Sequence, residues 1–170
     1  MWRAIWRQTF VSRYHQSEGN LGMAQSTSTE LDPIFAAIER HGAAWAAYVQ
    51  ALNAQERLAD ELPESARQST WDDGEEALFE TDDPRWITAG REANRTSDAA
   101  DDAACDLLDA EISSTVGAVA LLRYAVAFEV GGNTWPEEVD VSEGDDPALD
   151  GQPWYVWLQS RIADFLESRT

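Results

Sequence analysis

The chain has 170 residues, the usual size of one domain and enough to bury a core without a metal or a disulfide. Its 32 carboxylates outnumber 12 basic side chains, all of them arginine, and the formal net charge is −20. Such a charge repels nucleic acid and anionic membranes, so neither is an expected partner, whereas basic proteins and cations are favoured. The single cysteine, Cys105, excludes an internal disulfide and indicates a reducing compartment, the cytoplasm.

The first 30 residues differ in composition from the rest. Residues 1–22 contain three arginines and one acid, together with aromatic side chains that can line one side of a short helix. This pattern suits a membrane surface or a targeting segment, but it lacks the uninterrupted apolar region of a secretory signal. The alternative is that translation starts at Met23, which a polar run follows. Residues 1–30 are therefore expected to be a disordered or mis-assigned extension, and residues 31–170 a single helical domain.

Two aspartates, Asp32 and Asp83, each precede a proline and mark the starts of two long helices, because aspartate caps well and proline fits the first helical position. At about 1.5 Å per residue both helices are roughly 40 Å long, which predicts an antiparallel hairpin of about residues 32–62 and 84–110. The second helix has a narrower stripe, made of alanine and leucine. The first has large side chains on one face: Ile34, Ile38, His41, Trp45, Tyr48 and Leu52.

Two shorter helices complete the predicted fold. One starts at residues 113–115, ends at a glycine pair, and is apolar on nearly all sides, so we expect it at the centre of the core. The last begins at Pro153 and closes the bundle. Acidic stretches at about 63–83 and 131–152 are predicted as loops, without strand-like alternation. The expected class is all-α: a long antiparallel helical hairpin with a buried third helix and a C-terminal helix, an irregular four-helix bundle.

The second helix carries the cluster that most suggests chemistry. Its carboxylates recur at steps of three and four, an arrangement that is unfavourable unless cations or water relieve the repulsion. All-helical Mg²⁺-dependent phosphohydrolases use carboxylates on facing helices, but here the third helix offers only Glu129 as the partner group. A solvated face is the favoured interpretation. The cluster comprises Asp98, Asp101, Asp102, Asp106 and Asp109, of which Asp98, Asp102 and Asp106 are candidate metal ligands.

The remaining candidates favour structure over chemistry. His41 lies on the apolar face of the first helix and is expected to be a buried, hydrogen-bonded imidazole. The sequence contains no catalytic elbow, nucleotide loop, zinc motif or di-iron Glu-x-x-His pair, so we expect no catalytic residue and no cofactor. Trp71 and Trp135 fall in predicted loops and need cover, either from a partner subunit or from their own loops folding back.

Several segments resemble short helical proteins of high-GC alphaproteobacteria, a group without an established function. The resemblance covers about residues 31–168 and implies a bacterial cytosolic protein with the same helical layout, but no activity. The segments that carry it are Asp32-Pro33-Ile34, Asp83-Pro84-Arg85-Trp86, the stretch from Ala93-Asn94-Arg95 to Asp106-Leu107-Leu108, and Ala120-Leu121-Leu122-Arg123-Tyr124.

Three functions are compatible with these observations. The leading one is a non-enzymatic interaction or regulatory protein that self-associates or binds a protein partner. The second is an acidic antagonist of a basic protein, a nucleic-acid mimic, which requires carboxylates arrayed along one surface. The third is a Mg²⁺-dependent all-α phosphohydrolase that uses the aspartates of the second helix.

Overall fold

The computed structural model describes residues 32–72, 75–137, 139, 149 and 151–169. The regular secondary structure of this part is helical apart from one small hairpin and an isolated bridge, which confirms the predicted all-α class. The expectations for residues 1–30, and for most of the acidic loop after residue 137, lie outside the described residues. The helices are α1 (Pro33–Glu61), α2 (Pro84–Asp109), α3 (Thr115–Val130) and α4 (Trp154–Glu167).

The two long helices pack along each other as the predicted hairpin. At one end, the Arg85 guanidinium at the start of α2 lies 3.8 Å from the Glu61 carboxylate at the end of α1. At the other end, Ile34 from the start of α1 shares the core with Leu107 from the end of α2. The two helices approach closely because α2 contributes mostly small buried side chains: Gly90, Ala93, Thr96, Ala100 and Ala104.

Helix α4 closes the core against α2. The indole of Trp154 is fully buried and its Nε1–H donates to the backbone carbonyl of Ala104 at 2.8 Å. The Arg161 Nε–H donates to the carbonyl of Leu108 at 3.0 Å, in the last turn of α2. A cation at this position satisfies a carbonyl that has no partner within its helix and complements the negative end of the helix dipole.

The segment between α1 and α2 has more structure than a loop. It contains a 3₁₀ turn (Glu64–Ala66) and an antiparallel hairpin of β1 (Thr70–Asp72) and β2 (Glu75–Ala77). The buried Asp82 carboxylate accepts from the backbone N–H groups of Gln68 and Ser69 and ties the segment to the start of α2. Strands of three residues are too short to show alternation in sequence, which is why the hairpin was not predicted.

The third helix departs from the expectation of burial all round. One side is buried, through Gly117, Ala118, Ala120, Leu121, Ala125 and Phe128. The opposite side is exposed, although it is also apolar. Because the sequence of α3 is apolar on nearly all sides, it does not indicate which side is buried. The placement of α1 and the rest of the core decides this.

Candidate functional site

The acidic cluster of α2 forms an exposed surface, here called the acidic face. All of its carboxylate residues are exposed: Asp98, Asp101, Asp102, Asp106 and Asp109. Among the described residues, no group of three or more His, Cys, Asp or Glu side chains is arranged to hold a metal ion. The candidate ligands Asp98, Asp102 and Asp106 therefore share a helix surface that is open to water, without a closed coordination site around them.

The charges of the acidic face affect the pKa values of two groups, Asp101 and Cys105. Partial desolvation, together with the charges of Asp98 and Asp102, raises the pKa of Asp101. The half-buried Cys105 lies among the same aspartates, and burial, followed by the charges of Asp109 and the other neighbours, raises the pKa of its thiol. A thiol held in the protonated form is a poor nucleophile and a poor metal ligand.

The first half of α2 differs, because its arginines neutralise its acids. Arg91 contacts Glu76 of β2 at 2.8 Å, and Arg95 contacts Glu92 at 2.7 Å. Residues 98–109 contain no basic residue. The unbalanced negative charge of α2 is therefore concentrated in the half of the helix that carries the acidic face.

A shallow, open depression of about 430 Å³ lies beside the first turns of α2, lined by Pro84, Arg85, Thr88, Ala89 and Glu92. The pKa values of its two charged side chains are shifted away from neutrality. A hydrogen bond to Asp83 raises the pKa of Arg85, and a hydrogen bond from Arg95 lowers the pKa of Glu92. Neither of these charged side chains, Arg85 or Glu92, can readily exchange a proton near neutral pH.

His41 is buried in an aromatic cluster, as the sequence indicated. Its Nδ1 lies 2.6 Å from the Tyr124 hydroxyl oxygen, and its ring stacks on Trp135 with centroids 4.9 Å apart. Only 1% of the residue is exposed. Burial lowers the pKa of His41 to about 4 and raises that of Tyr124 to about 12, so both are neutral at pH 7. His41 is sealed from solvent, Tyr124 is half-buried, and the pair acts as packing.

The two loop tryptophans are covered by their own chain. Trp135 stacks on Trp154 with ring centroids 3.8 Å apart. Trp71 packs against Gly90 of α2, where a methyl group would overlap its ring, and it contacts Trp86 edge to face. The loops that carry these tryptophans fold back onto the helices, which is the second of the two alternatives given above.

The exposed side of α3 is the feature that sequence reasoning missed. We call it the α3 face; its aliphatic side chains have exposed fractions from 40% to 77%. Arg123 and Glu129 are also exposed and flank it. The spacing of three and four residues was visible in the sequence, but the equally apolar buried side concealed it. The α3 face consists of Val116, Val119, Leu122, Val126 and Val130.

No family model, curated protein or solved structure matches the chain. Within the described part of the chain, no helix combines the length and apolar character needed to cross a membrane.

Proposed function

We propose that this protein is a non-enzymatic interaction protein that binds another protein molecule through the α3 face. The observation that carries the proposal is a helix with five large aliphatic side chains exposed in one row. Folding normally removes such side chains from water, and soluble monomers seldom expose a contiguous apolar patch without a use for it. Protein interfaces are the commonest reason for such a patch.

The size of the α3 face supports a weak or reversible interaction. Covering the exposed part of a valine or leucine contributes roughly 1 kcal/mol, so the row contributes on the order of 5 kcal/mol. Association itself costs an estimated 4–15 kcal/mol in lost translational and rotational freedom. Contacts at the rim of the row must therefore add to its burial, and the exposed charges Arg123 and Glu129 lie in position to do so.

A photo-activated crosslinking residue placed at Val126 tests this function. Within cells, irradiation is expected to yield one or a few discrete protein adducts, with a second copy of the chain counted among them. The matched control is the same residue at Leu78, an exposed apolar position between β2 and α2. Equal, diffuse labelling at both positions would contradict the proposal.

We place this interaction in the bacterial cytoplasm. Support comes from the single cysteine, the acidic composition, and the resemblance to alphaproteobacterial proteins. Expression of a fluorescent fusion in an alphaproteobacterial host, followed by fractionation, tests the placement.

A second function, the acidic antagonist of a basic protein, is supported by the acidic face. Its carboxylates are exposed along one side of α2 and no arginine lies among them. Such an array binds basic surfaces with strong salt dependence. The test measures competition with duplex DNA for basic DNA-binding proteins, comparing wild type with a triple Asp98→Asn, Asp102→Asn, Asp106→Asn variant. Asp60→Asn on α1 is the matched control, and equal competition by all three proteins would remove this candidate.

A further inference from the structure

We draw no further inference here: the strongest candidate, the α3 face with its exposed aliphatic row from Val116 to Val130, already carries the proposed function, and nothing in the structure shows which partner covers it.

Discussion

The two long helices begin with the same Asp-Pro pair but are anchored differently. The Asp32 carboxylate is buried and caps α1 through the Ile34 N–H at 3.2 Å. It also accepts from the Ser114 N–H at 2.9 Å and the Ser114 hydroxyl at 2.7 Å, and Ser114 is the N-cap of α3. The carboxylate of the half-buried Asp83 accepts from the backbone N–H and the guanidinium of Arg85 in its own helix. The same local sequence therefore joins two helices in one place and merely starts a helix in the other.

A close glycine contact accompanies the Asp32 junction. Gly117, in the first turn of α3, lies against Asp32 and Ile34, and a Cβ at this position would overlap both the carboxylate and the isoleucine side chain. The comparable glycine of α2, Gly90, faces the far end of the Trp71 ring. The first contact is with a carboxylate fixed by hydrogen bonds, whereas the second is with the half-buried ring of Trp71 on a short hairpin. Four experiments test the difference between the junction of α1 with α3 and the environment of α2.

The largest expected effect is that of Asp32→Ala. It removes the cap of α1, at about 1 kcal/mol, and leaves the N–H and the hydroxyl of Ser114 without their partner, at about 1 kcal/mol each. We expect the free energy of unfolding to fall by about 3 kcal/mol, measured by urea denaturation with an unchanged m-value. Asp83→Ala, which affects one helix start, is the control and should lose clearly less. Equal losses of stability in the two variants would show that the contact between Asp32 and Ser114 does not stabilise the fold.

His41 makes the stability of the folded protein depend on pH. The imidazole has a pKa of about 4 in the folded protein and about 6.5 when unfolded, so the unfolded state binds more protons between these values. Stability is thus unaffected above pH 6.5 and falls by about 3 kcal/mol as the pH drops to 4. His41→Gln keeps a hydrogen-bonding group beside Tyr124 but cannot titrate, and it should lose less stability over that range. Parallel curves for the two proteins would contradict this assignment.

Substitution of Gly117 is expected to cost more stability than substitution of Gly90, just as Asp32→Ala is expected to cost more than Asp83→Ala. Gly117→Ala forces apart a hydrogen-bonded junction and should cost about 2 kcal/mol, because overpacking there cannot be relieved by one rotamer change. Gly90→Ala displaces the half-buried Trp71 ring on a short hairpin and gains helix propensity, so its cost should be lower than that of Gly117→Ala. Thermal unfolding of both variants measures the difference. A costlier Gly90→Ala would mean that Trp71 is held as firmly as Asp32.

The smallest effect concerns reactivity rather than stability. Burial and the surrounding aspartates raise the pKa of the Cys105 thiol, so its alkylation by iodoacetamide at pH 8 should be at least about 5-fold slower than that of free cysteine. In urea the two rates should converge. Because burial is the larger cause, Asp101→Asn should increase the rate only slightly. A native rate equal to the unfolded rate would place the thiol in open solvent.

Much of the fold could be predicted because its signals are local. Capping aspartates, a proline in the first turn and apolar spacing locate α1 and α2 within a few residues, and the serine and glycine pair bound α3 in the same way. The burial of His41 also follows from its place on an apolar stripe. These features depend on neighbours within one or two helical turns.

Other features depend on contacts between residues far apart in the chain. The hairpin at residues 70–77 is held by Asp82 and by the packing of Trp71 on Gly90, and three-residue strands are too short to show a pattern. The aspartates of α2 could be placed on one helix face, but their exposure depends on what the rest of the chain covers. The sequence favoured a solvated face, because a run of charges usually lies on the surface, but the surroundings of each carboxylate depend on contacts with distant parts of the chain.

The sequence by itself determined the helical class, the helix boundaries and the excess of negative charge, because capping, periodicity and composition act over short distances. Tertiary packing sets the contacts of Asp32 with both the first turn of α1 and the N-cap of α3, and the internal cover of the loop tryptophans. It also decided that α3 buries one apolar side and exposes the other. The sequence of an evenly apolar helix does not define which side is buried, so its packing against α1 determines which side stays exposed.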